Sequence, residues 1–212
     1  MNALSLANLG RALFFPRGST LFIQNDVADR LYLLLDGMVK LCFLKRSSGE
    51  EKTACFIRPG MFFGQSALLL GKPYGITARA LTDCNVSVFD RQSTVELIRA
   101  NPDFAVALMS SMAQELWFFG YHLLGNAYPA TARTAYALLN LSYQLDPGAE
   151  TAVRLKLSHD ELASFASLTR VSVSKSLAEL EREGLLTKKR NCIVILSKEA
   201  LKHWLGQVSF CL

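Results

Sequence analysis

The first ninety residues alternate short apolar runs with turn signals. The runs cover 20–23, 31–35, 39–44, 53–57 and 86–89, and between them fall Arg17-Gly18, Asp36-Gly37, Ser47-Ser48-Gly49, Pro59-Gly60 and Lys72-Pro73. Runs of about five residues punctuated by glycines at roughly ten-residue intervals predict the strands of a sandwich or barrel. No helical periodicity is expected in this stretch.

From Asp90 the period changes. A short helix is predicted over about 93–100, and Asn101-Pro102-Asp103 then supplies an N-cap, a proline at the first helical position and an acid in the first turn. The helix that follows meets no internal breaker before Gly120 and continues to Gly125. It carries two apolar stripes. Ala105, Met109, Met112, Leu116, Phe119 and Leu123 repeat with the 4-3-4-3-4 spacing of a heptad seam, and Phe104, Leu108 and Phe118 form a second stripe offset by one position. Such a helix can pack on its own domain and on a second helix, or be a core helix wrapped on both sides. After Tyr128-Pro129 another helix is predicted over 130–145, closed by Asp146-Pro147-Gly148, and residues 153–157 alternate apolar and basic as a half-exposed strand does.

Residues 158–196 carry the most local information. Ser158-His159-Asp160-Glu161 is a capping box, and Leu162, Phe165 and Ala166 give a short helix one buried face. A tight turn at Ser167-Leu168 leads to Thr169, which caps a second helix with Val173, Leu177 and Leu180 buried and Gly184 just past its end. Strands over 185–187 and 192–196 flank a basic tip, Lys188-Lys189-Arg190-Asn191. Helix, turn, helix and hairpin in this order predict a winged helix-turn-helix. With the second helix entering a major groove N-terminus first, Thr169, Arg170, Val171, Ser172, Ser174 and Lys175 are the candidate base-side contacts. Arg170 and Lys175 can donate to guanine or phosphate, Val171 can touch a thymine methyl, and Ser174 can bond several bases. Lys188, Lys189 and Arg190 are the candidate phosphate contacts. The plainer alternative is a small helical core with a solvated charged hairpin. Charge does not decide between them, since residues 130–212 hold 11 lysines and arginines against 8 acids.

Composition narrows the classes. Half of the 212 residues are hydrophobic, enough for a sizeable core. The longest unbroken apolar run is the six residues 104–109, against about 20 for a membrane-spanning helix. The N-terminus lacks a basic stretch leading into a long apolar one, so no secretory signal and a cytoplasmic location are expected. Net charge is +5, which suits an anionic partner. The five cysteines, no two closer than thirteen positions, show no metal-ligand spacing and read as reduced thiols. His122, His159 and His203 have no evident nucleophile partner, and no P-loop or paired catalytic carboxylates are present, so an enzyme is not expected.

A β-rich N-terminal half, a long heptad helix and a C-terminal winged helix resemble the Crp/Fnr family of bacterial transcription regulators over about residues 14–204. The landmarks are the glycines at 18, 37, 49, 60 and 64, the stretch Pro59-Gly60-Met61-Phe62-Phe63-Gly64, the pair Thr77-Ala78, and residues 168–180 with their wing. The resemblance implies an α+β fold: an N-terminal β-roll like a cyclic-nucleotide-binding domain (1–92), linking and dimerisation helices (93–127) and a DNA-binding winged helix-turn-helix (128–212). It implies a homodimer on a palindromic double-stranded DNA operator, a small-molecule effector, and RNA polymerase as a partner if the protein activates. It favours dimerisation for the seam of Met109, Met112, Leu116, Phe119 and Leu123.

The resemblance also places the effector pocket at Gly64, Gln65, Ser66, Ile76, Thr77, Phe118 and Phe119, and here the chain departs from the cyclic-AMP-binding members. Those carry Gly-Glu and Arg-Ser/Thr-Ala where this chain has Gly64-Gln65 and Ile76-Thr77-Ala78, so the carboxylate for the ribose and the guanidinium for the phosphate are both missing. Phe118 and Phe119 stand where small hydroxyl residues are expected. Cyclic AMP is therefore disfavoured, and so is a [4Fe–4S] cluster, since no cysteine precedes Cys42. Val171 replaces a common glutamate. The recognition region is most similar to halorespiration regulators, which bind halogenated phenols, and an aromatic or apolar effector would suit Phe118, Phe119 and Tyr121. Haem with His122 as ligand, in a gas or redox sensor of the same family, is one rival. A β-domain sensor or docking protein without DNA binding is the other.

Overall fold

The computed structural model describes residues 6–45, 47, 49–125, 127–146, 148, 152–189 and 192–208. It divides into two units, Met1–Trp117 and Phe118–Leu212.

Among the described residues the first unit is built on eight strands: β1 Arg11–Phe15, β2 Thr20–Phe22, β3 Arg30–Asp36, β4 Val39–Leu44, β5 Glu51–Ile57, β6 Phe62–Phe63, β7 Thr77–Ala80 and β8 Cys84–Asp90. They form two four-stranded antiparallel sheets, ordered β1-β8-β3-β6 and β2-β7-β4-β5. The five strands expected from the apolar runs are present, and β1, β6 and β7 join them. The expectation of no helix before Asp90 is corrected by α1, Gln65–Leu70. Six residues are too few to show a 3.6-residue period; the helix is set by left-handed glycines at both ends, Gly64 (φ 83°) and Gly71 (φ 63°). A Cβ on Gly64 would also press on the Arg30 carbonyl at 3.3 Å.

Helix α2 spans Arg91–Ala100, two residues longer at its start than expected because Asp90 caps it, accepting from the Ser93 N–H at 2.7 Å. Helix α3 runs unbroken over Pro102–Gly125, with Asn101 Oδ1 accepting from the Phe104 N–H at 3.1 Å as the cap. Its two stripes are physically different. Phe104 and Leu108 are buried with Leu31, Leu33, Phe62 and Phe89, and Phe104 meets Phe62 and Phe89 edge-on at 5.2 and 5.4 Å. Burial of each such side chain contributes about 1.5–3 kcal/mol. Ser111 on the same face accepts from the Phe62 N–H of edge strand β6 at 3.0 Å. The seam residues Met109, Met112, Leu116 and Leu123 are exposed.

The second unit surrounds α4, Ala130–Leu145, which is buried along most of its length. Around it lie α5 His159–Ala166, α6 Arg170–Arg182, α7 Lys198–Val208 and an antiparallel sheet of β9 Val153–Leu155, β10 Leu186–Lys189 and β11 Cys192–Ile195, ordered β10-β11-β9. Helix α7 is an addition to the sequence reading, which assigned nothing after Leu196. Ser197 caps it, accepting from the Ala200 N–H at 3.1 Å, and Leu201 and Leu205 bury its inner face. Lys198, also buried, donates to the Asp146 carbonyl at the end of α4 at 2.6 Å.

Candidate nucleic-acid interface

The α5–turn–α6 pair is held by backbone chemistry at every joint. At the start of α5 the capping box is complete: Ser158 Oγ accepts from the Glu161 N–H at 3.2 Å, and Glu161 Oε2 accepts from the Ser158 N–H at 2.7 Å. Ser167 ends α5 in the left-handed region (φ 53°), and the Leu168 N–H returns to the Ala163 carbonyl at 3.0 Å. Thr169 then caps α6, accepting from the Ser172 N–H at 3.1 Å. At the far end Gly184 (φ 71°) completes a Schellman motif, with Leu185 N–H to Leu180 O and Gly184 N–H to Glu181 O, both 3.0 Å. Leu162, Phe165, Val173, Leu177 and Leu180 are buried beneath the pair. The N-terminus of α6 is thus fixed in place before any ligand arrives.

The candidate base-side residues divide by their partners. Val171 is 64 % exposed, an apolar side chain with no neighbour to hide it, and Lys175 is exposed as well. Arg170 lies 3.7 Å from Asp160, both well exposed. A pair of this kind contributes under about 1 kcal/mol, so the guanidinium is available to another anion. Thr169 and Ser172 are bound to each other, their hydroxyl oxygens 2.9 Å apart. Ser174 is half-buried with its Oγ 2.9 Å from His159 Nδ1.

The wing departs from its expected outline. Lys188 and Lys189 belong to β10, paired with Ile193 and Cys192 of β11, so the four-residue basic tip is shortened; Arg190 and Asn191 lie outside the described residues. Lys188 is tied to α6 twice: its Nζ is 2.9 Å from Glu181 Oε2, and its N–H donates to Glu181 Oε1 at 2.8 Å. These contacts hold the Glu181 carboxyl below its ordinary value. Lys189 is exposed.

In the first unit, Gly64, Gln65, Ser66, Ile76 and Thr77 bracket α1 and the start of β7. Thr77 is buried, its hydroxyl accepting from the Gln24 N–H at 3.0 Å. Ser66 is exposed and Ile76 half-buried. Tyr74 fills the middle of this segment, stacked on Phe22 with ring centres 3.9 Å apart and donating to the Arg30 carbonyl at 2.7 Å. Gln65 is 1 % exposed, and its amide nitrogen and oxygen make no hydrogen bond of normal geometry. Near it on α3 is Glu115, a residue the sequence reading passed over although it is a lone acid in an apolar stretch. Its Oε1 is buried and makes no hydrogen bond of normal geometry. Desolvation pushes the Glu115 carboxyl up to about 7, against a smaller opposing effect of the Gln65 amide.

Phe118 and Phe119 fall in the second unit. Phe118 is buried, its carbonyl accepting from Asn140 Nδ2 at 3.4 Å, and Phe119 is half-buried. Of Tyr121 only its place in α3 is described. His122 packs against the Phe165 ring with centres 4.9 Å apart. The cavity beside it, lined by Arg133, Tyr136 and Asn140, is about 10 Å³. A porphyrin does not fit this site as it stands. Burial pushes the Cys42 thiol up to about 11 and raises Cys55 and Cys84 as well, so these are poor sources of thiolate for metal or redox chemistry. Among the described residues no helix is long and apolar enough to cross a membrane.

Comparison with known proteins agrees with this layout. Residues 12–101 match the cyclic nucleotide-binding domain family and residues 132–204 the Crp-like helix-turn-helix domain. The cyclic AMP receptor protein of Thermus thermophilus is 34 % identical over 185 residues, 86 % of this chain and 82 % of that protein. The nitrogen fixation regulation protein FixK of Azorhizobium caulinodans is 29 % identical over 203 residues, 93 % of this chain and 80 % of that one. The crystal structure of a CRP/FNR-family transcriptional regulator from Thermus thermophilus matches with a TM-score of 0.74 at 28 % identity, covering 94 % of this chain and 100 % of that one.

Proposed function

The chain belongs to the CRP/FNR family of DNA-binding transcription regulators, not to the enzymes, and from that premise we propose that it works as a homodimer on a palindromic operator, with α6 reading bases and the wing holding phosphate. The observation that carries the reading is the N-terminus of α6. It is fixed by caps at both helix ends and presents Arg170, Val171 and Lys175 outward on a rigid scaffold. The exposed seam of α3 supports the homodimer. If the protein activates transcription, RNA polymerase is its further partner.

The experiment is selection of preferred half-sites from a random DNA library. Val171→Glu should change the preferred half-site, because a carboxylate accepts from cytosine N4 and repels thymine O4, with about 1–3 kcal/mol of discrimination at that position. Lys189→Ala should weaken binding to all sequences alike and reduce the salt slope by about one contact. Identical half-sites for wild type and Val171→Glu would remove this face from base readout. An altered sequence with Lys189→Ala would make the wing a reader.

For the effector we propose a small molecule other than a cyclic nucleotide. Gln65 and Ile76 offer no charge to a ribose or a cyclic phosphate, and the buried amide of Gln65 suits a neutral polar group better than an anion. An aromatic or apolar compound with such a group is the class favoured. Calorimetric titration with cyclic AMP and cyclic GMP should show no specific binding. A micromolar dissociation constant for either would overturn this part of the reading.

A further inference from the structure

The contact between His159 and Ser174 joins the first residue of α5 to the DNA-facing side of α6, with Nδ1 and Oγ 2.9 Å apart. Both residues are half-buried. The imidazole borders a cavity of about 210 Å³ whose other charged or titratable neighbours are Asp160, Arg170, Lys189 and Cys192. Two of these, Arg170 and Lys189, are candidate DNA contacts, so the cavity lies on the side of the unit assigned to DNA.

A serine hydroxyl has one proton to give and two lone pairs, and left alone it bonds donors and acceptors alike. The histidine removes that freedom. When Nδ1 carries a proton, as it must in the imidazolium, it donates to Ser174 Oγ. The serine proton is then left for an acceptor outside, such as guanine O6 or N7 or thymine O4. When Nδ1 is bare, Ser174 donates to it, and Oγ presents only lone pairs, which suit adenine N6 or cytosine N4. Imidazole is the side chain whose charge changes between pH 5 and 8.

We infer that His159 is a positioning residue for base readout: it sets whether Ser174 donates to or accepts from the base it faces, and so makes the preferred operator depend on pH. The inference rests on α6 being the recognition helix, and the test separates the two.

Half-sites are selected at pH 5.5 and pH 8.0 with wild type, His159→Asn, Ser174→Ala and Val171→Glu, with melting temperatures measured to confirm that each variant folds. Ser174→Ala should lose preference at one position of the half-site at both pH values, which identifies the base that Ser174 faces. At that position wild type should favour guanine or thymine at the lower pH and shift toward adenine or cytosine at the higher. The expected shift is about 3–10-fold, the weight of a single hydrogen bond. His159→Asn does not titrate, and its preference there should be the same at both pH values. Wild-type preferences that do not move with pH, or a pH-dependent shift that survives in His159→Asn, would overturn the role of His159 while Val171→Glu still altered the half-site. If neither Ser174→Ala nor Val171→Glu changed the selected sequence, the recognition helix itself would be wrongly assigned, and the inference would fall with it.

Discussion

Leu116→Glu should convert the protein to monomers at micromolar concentration and abolish tight operator binding. Leu116 is 73 % exposed in the isolated chain, so the substitution breaks no packing within the protomer, and helix content and melting of the monomer should be retained. In a paired helix the same position is desolvated, and symmetry brings two carboxylates to one seam. An uncompensated buried charge costs several kcal/mol, and every 1.4 kcal/mol is a tenfold change in affinity. Dimer association should therefore weaken by roughly 100-fold or more. Operator affinity falls further, because two half-sites bound by linked domains gain about 10²–10⁴ over one. Sedimentation of wild type and variant checks the first step. A wild-type protein that sediments as a monomer would contradict the dimer directly.

Glu115→Gln should stabilise the protein at alkaline pH and flatten its stability profile. The carboxyl titrates at about 7 in the folded chain against an ordinary 4.5, because burial disfavours its charged form. Between those values the folded state holds a proton that the unfolded state has released. Stability tied to Glu115 is thus fully present below pH 4.5 and lost as pH rises through 7. The gap corresponds to on the order of 3 kcal/mol. The facing groups do not supply a counter-charge: Cys55 is a raised thiol whose own shift includes Glu115, and Arg58 bonds the neighbouring Gln114 at 3.1 Å. At pH 8 the variant should melt about 5–10 °C above wild type, and at pH 4.5 the two should nearly coincide. An equal offset at both pH values would show that the carboxylate is not desolvated.

What could be read from the chain was what is local. The capping box at Ser158, the Thr169 cap and the Gly184 terminus each lie within a few residues, and all three stand in the structure where the spacing placed them. The two stripes of α3 were legible because a period survives over 24 residues. Other features depend on partners distant in sequence. Lys188 looked like part of a free basic tip, but Glu181, seven residues earlier on α6, holds it in the sheet. Gln65 meets Glu115 across fifty residues, and His159 meets Ser174 across fifteen. Helix α7 was missed although Ser197 and the Leu201/Leu205 pair signalled it. Strands β1 and β7 were missed because Arg11–Phe15 is largely exposed and Thr77–Ala80 is short.

The central claim is that a dimer reads DNA through the N-terminus of α6. Footprinting of wild-type protein on a selected operator tests it most directly. Two inverted half-sites should be protected, with centres about 10–10.5 base pairs or a multiple of that apart, and Arg170→Ala should erase both together. Protection of one half-site only, or no protection beyond that of arbitrary DNA, would contradict the account.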